Sequence, residues 1–314
     1  MEAHWRQGNL ENFSKGQAGL KPVSARIIGG LGNQLFGYFA GRYLAEKLNT
    51  RLILDDSQLA HNQHSNSTIF DFELEDCTVM ADHKKLRLSQ IIDRIPPRSA
   101  FLDHLYSRYL GIHYSRQIGF DPTLQDVKYG ATLIGYFQSY RYFYETSYFK
   151  KDKKLSLLNP GQWFLEMENE IKLAKPIVIH VRRGDYSKAI NREFGLLNRD
   201  YFMNGIDTLR SRADLASSNV WVFSDSPEEV KSEFGQTGKD FRFIAQEPSS
   251  SAAENLLLMS KGKAIVTSNS TFSYWSALLS AHKNVIAPTK WFQSREDPLD
   301  LIPPTWTQLE STWQ

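Results

Sequence analysis

The chain of 314 residues has one cysteine, Cys77, and so can form neither an intrachain disulfide nor a thiolate metal cluster. That suits a reducing compartment. Charge of one sign is also lacking, because 37 Lys and Arg stand against 35 Asp and Glu for a formal net charge of +2. That balance argues against non-specific nucleic-acid binding, since counterion displacement needs a basic surface, so no nucleic-acid partner is expected and any anion must be held locally. Neither the opening MEAHWRQGNLENFSKGQAGLKPVS nor any later segment has an apolar run fit for a signal peptide or a bilayer span. The expected location is cytoplasmic, or at a membrane surface. Asp-x-Asp and His-Glu-x-x-His are absent and the histidines show no ligand spacing, so neither a metal nor a cofactor is expected. Without a Gly-x-Ser-x-Gly elbow, a serine hydrolase is unsupported.

What is present is a folded composition, 41% hydrophobic and 13% aromatic, at a length suited to two domains. Residues 1–24 form a polar leader, 25–159 an amino-terminal α/β domain on the acceptor side, and 160–314 a Rossmann-like domain. A short buried strand is predicted from Ala25 to Ile28, running into GGLGNQ and then a helix whose Phe36, Phe39, Ala40, Tyr43 and Leu44 share one face. RLILDD is the next strand. The stretch from Ser57 to Asp126 reads as irregular and helix-containing. ATLIGYF is a strand, and YRYFYETSYFKKDKK reads as a solvated helix and linker with a basic edge, or as a peripheral membrane contact.

After Pro160 the alternation becomes regular. The strands PIVIHV, NVWVFSD, FRFIA, AIVTS and NVIAP alternate with helices, and several are continuous apolar runs, as in a doubly wound parallel sheet covered on both faces. Ligands of such sheets sit beyond the carboxyl ends of the strands, where VRRGD, SDSPEE and TSNSTF lie.

Four constellations carry chemistry. In IHVRRGDY, Arg182 and Arg183 leave a buried strand beside Gly184 and Asp185; they either clamp a diphosphate or pair with carboxylates at the sheet end. In SNSTFSYW, Ser268, Asn269, Ser270 and Thr271 cap a helix whose start suits a phosphate, or serve as an ordinary N-cap. IIGGLGNQLF fails the dinucleotide fingerprint, because Leu35 stands where a third glycine is needed; what remains is a tight backbone approach with Asn33 and Gln34 presented at its edge. In FSDSPEEV, Asp225, flanked by Ser224 and Ser226, either accepts from a ribose or base or caps the helix at Pro227. Glu254 is a further candidate for the guanine edge.

GGLGNQLF, HVRRGDY and SNSTFSYW, in this order and spacing, resemble the α-1,2-fucosyltransferase family from about Ile27 to Pro288. The resemblance implies a GT-B-like α/β fold of two Rossmann-like domains facing a cleft. It implies an inverting, metal-independent transfer of L-fucose from GDP-β-L-fucose to the 2-hydroxyl of a galactose-terminated oligosaccharide or glycolipid. By that resemblance Arg182 and Arg183 grip the diphosphate, Asp185 orients them, and His180 faces the cleft. Ser270, Thr271 and Phe272 hold the β-phosphate, and Asp225 and Glu254 read ribose and guanine. Asn33, next to Gly32, reaches across the cleft; Ser224 and Asn269 line the donor site. The family commonly has glutamine where this chain has Gly37, a change expected to alter packing. The base is open between Asp185, Glu193 and His180, with Asp185 preferred. Other readings are a GDP-sugar transferase acting on a different hydroxyl, or a non-catalytic nucleotide- or glycan-binding protein.

Overall fold

The computed structural model describes residues 21–57, 59, 69–75, 77–79, 105–184, 193–235, 238–245, 247–280 and 284–314. Most of the polar leader, much of the expected irregular middle and Asp185 lie outside them. The described residues form two compact units. The first holds those up to Lys154, with Pro298–Leu301; the second holds Leu155–Asp297 and Ile302–Gln314, together with the short stretch ending at Phe72.

In the first unit, β1 (Val23–Arg26), β2 (Leu52–Asp55), β3 (Cys77–Val79), β4 (Ile112–Tyr114) and β5 (Thr132–Ile134) make a sheet of order β3-β2-β1-β5-β4. Every pair is parallel. Two of these strands, β3 and β4, arise in the stretch read as irregular; at three residues each they are too short to show an alternation. Between β1 and β2 runs α1 (Leu31–Lys47), which is buried on nearly all sides rather than along one stripe. The cause is close packing. A Cβ at Gly41 would lie 2.7 Å from Ala25 Cβ and Leu52 Cδ1, and one at Gly37 3.2 Å from the Arg26 carbonyl, so the helix beds directly on the strands. Of the stretch read as a solvated helix and linker with a basic edge, the aromatic part is core, whereas Lys150, Lys151 and Lys154 are exposed. The stretch folds into α2 (Tyr140–Glu145) and α3 (Ser147–Lys150), burying Tyr142, Phe143 and Tyr148 against α1, with Phe39 edge-on to Phe143 at 4.8 Å and to Tyr148 at 5.5 Å.

The second unit alternates helix and strand as far as Pro288. Its elements are α4 (Gln162–Ala174), β6 (Ile177–Val181), α5 (Arg199–Arg210), β7 (Val220–Ser224), α6 (Pro227–Phe234), β8 (Phe241–Phe243), α7 (Ala252–Met259), β9 (Ala264–Val266), α8 (Thr271–Leu279), β10 (Val285–Pro288) and β11 (Thr307–Leu309). The strands lie β11-β10-β9-β6-β7-β8, again all parallel. Five of the six were legible from the alternation, several of them as apolar runs; β11, at the edge with two of three residues exposed, was not. One face of β6, carrying Ile177, Ile179 and Val181, packs on Tyr201, Phe202, Ile206 and Leu209 of α5. Among the described residues no helix is long and apolar enough to cross a membrane.

Candidate active site at the sheet switch point

Read from β8 inward, the second sheet runs third, second, first, fourth, fifth and sixth strand in chain order, the doubly wound arrangement that reverses direction between its first and fourth strands. Those strands are β6 and β9. The residues following β6 are Arg182, Arg183 and Gly184; those following β9 are Thr267 to Ser270, leading into α8. A hydrogen bond of 3.0 Å between His180 Nδ1 and Ser268 Oγ closes the base of this crevice.

The two arginines differ in kind. Arg183 has a fully buried side chain, and all five of its N–H donors are engaged. Nε and Nη2 bind Glu233 at 2.8 to 3.1 Å, and Nη1 binds the carbonyls of Arg182 at 2.9 Å and Leu197 at 3.1 Å. For Arg183 the pairing with a carboxylate at the sheet end wins over the diphosphate clamp, because a guanidinium with no donor left cannot grip a ligand. Arg182 keeps a side chain 26% exposed, with Nε 3.1 Å from Asp225 Oδ2. It is the phosphate candidate that geometry leaves.

Asp225 is also reassigned. Its Oδ1 accepts from the Arg183 backbone N–H at 2.9 Å while Oδ2 faces Arg182, so both oxygens are turned onto the turn itself rather than toward a ribose. Nor is it the helix cap, which is Ser226. Ser226 Oγ accepts instead from the Gly184 N–H at 3.1 Å, and Ser224 Oγ accepts from the Ser226 N–H at 3.0 Å. Gly184 sits at φ +26°, and a Cβ there would fall 2.2 Å from Asp225 Oδ2. Only glycine lets the carboxylate hold the turn this closely.

Glu254 does not read a base. Its carboxylate completes a capping box with Ser251 at the start of α7 and takes the Gly161 N–H at 2.6 Å, which leaves it 5% exposed. Asn269 is buried too, donating to the carbonyls of Phe194, Gly195 and Trp291 at 2.8 to 3.2 Å, and so fixes neighbouring loops. Ser270 is the N-cap of α8, its Oγ accepting from the Phe272 N–H at 3.3 Å. Thr271 and Phe272 are half-buried on the first turn, whose leading N–H groups have no partner inside the helix and carry its positive dipole end. The Phe272 ring lies 5.5 Å from the His180 imidazole.

Burial, reinforced by the Arg182 charge, depresses His180 from 6.5 to about 3. The imidazole is thus neutral near pH 7, and too weak a base to take the acceptor proton. Glu193 is half-exposed and pairs with Arg295 at 3.2 Å.

In the first unit the turn after β1 needs glycine at Gly29, φ +68°, while Gly30 is the extended N-cap of α1 and Gly32 lies buried in its first turn. The two amides part company. Gln34 is buried and donates back to the Gly29 carbonyl at 2.9 Å, whereas the half-buried Asn33 accepts from Gln138 Nε2 at 3.0 Å. Gln138, like Glu233, was not singled out in the sequence; its place just past the strand ATLIG was the available signal.

These features can be set beside known proteins. An α-1,2-colitosyltransferase from Escherichia coli is 28% identical over 300 residues, covering 92% of this chain and 99% of that protein. The O-antigen biosynthesis glycosyltransferase WbnK, also from Escherichia coli, is 27% identical over 291 residues, covering 85% and 93% respectively. Among solved structures, the fucosyltransferase NodZ from Bradyrhizobium superposes with a TM-score of 0.51 at 13% identity, covering 83% of this chain and 94% of that one. NodZ co-crystallised with GDP gives the same score, with 83% and 93% coverage. At such identity the likeness concerns the fold, a GT-B-like pairing of two parallel-sheet α/β units. The sequence profile of Glycosyl transferase family 11 matches residues 28–310, and the chain belongs to that family.

Proposed function

We propose that this glycosyltransferase moves L-fucose, or a close deoxy analogue, from its GDP-activated form to the 2-hydroxyl of a terminal galactoside, with inversion and without a metal ion. The observation that carries this reading is the placement of Arg182 and the start of α8 on the two sides of one switch point. The acceptor oxygen forms a bond to the anomeric carbon as the carbon–oxygen bond to GDP breaks, and the hydroxyl proton passes to a base. Negative charge grows on the departing diphosphate. A guanidinium steadied by Asp225 and the helix N–H groups beside Ser270, Thr271 and Phe272 stabilise that charge more in the transition state than in the ground state.

The base assignment falls to Asp185. Of the other two candidates, Glu193 pairs with Arg295, and His180 is neutral and weak. Asp185→Asn should therefore lower kcat about 100-fold or more while donor KM stays near wild type. A raised donor KM at unchanged kcat would contradict the assignment.

The donor sugar has a second reading, favoured by the E. coli colitosyltransferase covering 92% of this chain. Colitose is fucose without its 3-hydroxyl. Incubation with GDP-fucose, GDP-colitose, GDP-mannose and lactose, following galactoside-dependent GDP release, tests both. Turnover with GDP-fucose supports the first reading and turnover confined to GDP-colitose the second; turnover with GDP-mannose alone overturns both.

A further inference from the structure

The amino ends of the strands in the first sheet carry a surface that the transfer reaction does not use. In a parallel sheet the starts of neighbouring strands lie side by side, so the order β2-β1-β5-β4 aligns the residues that precede them. These are Arg51 before β2, Lys21 before β1, Lys128 and Tyr129 before β5, and Tyr109 and Leu110 before β4. Backbone contacts join them into one row. Thr50 Oγ1 donates to the Lys21 carbonyl at 3.2 Å, a Cβ at Gly130 would run into that same carbonyl, and one at Gly111 would lie 4.0 Å from the Gly130 carbonyl.

The row combines bare aromatics with basic charge. Tyr129 is 80% exposed, Tyr109 72% and Leu110 43%, and it is their clustering at one sheet end, rather than any single exposed ring, that calls for a reason. Lys21, Arg51 and Lys128 are exposed as well, and Lys47 at the end of α1 reaches the Gln125 carbonyl close by. Asp126 is the exposed carboxylate beside them; Glu75, before β3 at the far edge, is held by Lys153. Tyrosine joins an apolar ring to a polar tip and suits the boundary between water and lipid, while lysine and arginine suit anionic headgroups.

We propose that this end of the first unit rests on an anionic lipid surface, with Tyr109, Leu110 and Tyr129 at the headgroup boundary and Lys21, Lys47, Arg51 and Lys128 over the lipid charge. A parallel sheet held this way points its carboxyl ends, and with them the turn from Gly29 to Asn33, away from the lipid. The stretch YRYFYETSYFKKDKK, where sequence placed a membrane contact, is the poorer surface. Its Tyr142, Phe143 and Tyr148 are buried, and Lys150 and Lys153 already pair with Glu145 and Glu75.

Co-sedimentation of the full chain with phosphatidylcholine vesicles, with and without phosphatidylserine, reads the contact in the absence of any sugar nucleotide, so its outcome is independent of the donor reading. The wild type should bind only the anionic vesicles, and less as salt rises. Lys21→Glu/Arg51→Glu/Lys128→Glu should weaken that binding about 100-fold or more, at about fivefold per charge removed, and Tyr109→Ser/Tyr129→Ser about tenfold. Both variants should keep the melting temperature of the wild type. No binding by the wild type, binding that ignores phosphatidylserine, or binding undiminished in both variants overturns the surface. So does its loss in Lys150→Glu/Lys151→Glu/Lys154→Glu, which would move the contact to the basic stretch after α2. A wild type that self-associates instead of binding vesicles, and ceases to do so in the tyrosine variant, assigns the face to a second copy and overturns the proposal too.

Discussion

At the scale of single residues, adjacent arginines of one motif take opposite roles. Arg183→Met should leave two carbonyls and the half-buried Glu233 without their donor and destabilise the fold by about 1–3 kcal/mol, visible as a lower melting temperature before any question of turnover arises. Arg182→Ala should leave melting nearly unchanged and cut turnover about 100-fold or more. If the two variants behaved alike in both measurements, the division of labour would be wrong. Sequence could not separate them, since both stand past the end of the same strand; what separates them is Glu233, fifty positions on and visible only once α6 is folded.

His180 yields a pH prediction at the same scale. Its folded-state value of about 3 lies below the 6.5 of the unfolded chain, so between those values the unfolded state binds the proton that the folded state refuses. Stability falls as pH drops through that window, by about 1.4 kcal/mol per unit from this group. His180→Gln should lose less stability than wild type between pH 7 and 4.5 in urea titrations. Equal losses would show that the buried imidazole is not the source.

At the scale of elements, legibility followed length and burial. The five-residue strands β6 and β7 are buried at every position and were plain as apolar runs; of the three-residue strands, β5, β8 and β9 were read within ATLIGYF, FRFIA and AIVTS, whereas β3, β4 and β11 were missed. The site elements at β6, β7 and α8 were placed correctly, but the duties of Asp225, Glu254 and Asn269 were not. Glu254 and Asn269 were read as donor-site residues and Asp225 as either a ribose or base acceptor or a helix cap, and each satisfies backbone groups instead, which no spacing rule reveals. One element-level consequence is sharp. Gly184→Ala would drive a Cβ into the Asp225 carboxylate and splay the turn that carries Arg182, so activity should fall about 100-fold with only moderate loss of stability. Activity near wild type would mean that the turn tolerates a different course.

At the scale of the whole molecule, the diphosphate charge is assigned to Arg182 and a helix terminus, so activity should be unchanged by a chelator. A loss on adding EDTA, restored by manganese, would contradict that assignment. The length and the alternating second half made two domains and a doubly wound sheet legible before any coordinates, and the transferase reading came from the resemblance of GGLGNQLF, HVRRGDY and SNSTFSYW, while the subdivision within the first half waited for the structure.

The route of the chain near its end carries a different implication. Within the first unit the Phe120 N–H binds the Leu299 carbonyl at 3.0 Å, the Tyr140 N–H binds the Asp300 carbonyl at 3.2 Å, and Arg141 pairs with the Asp300 carboxylate at 3.0 Å. A gene cut after Lys154 would therefore express an amino-terminal fragment lacking a clasp encoded some 140 codons downstream, and the remaining fragment would lack the stretch ending at Phe72. Neither product is a finished module. Chimaeras of this chain with its relatives should thus fail to fold when halves are spliced at Lys154 and fold when the Pro298–Leu301 stretch travels with the amino-terminal half.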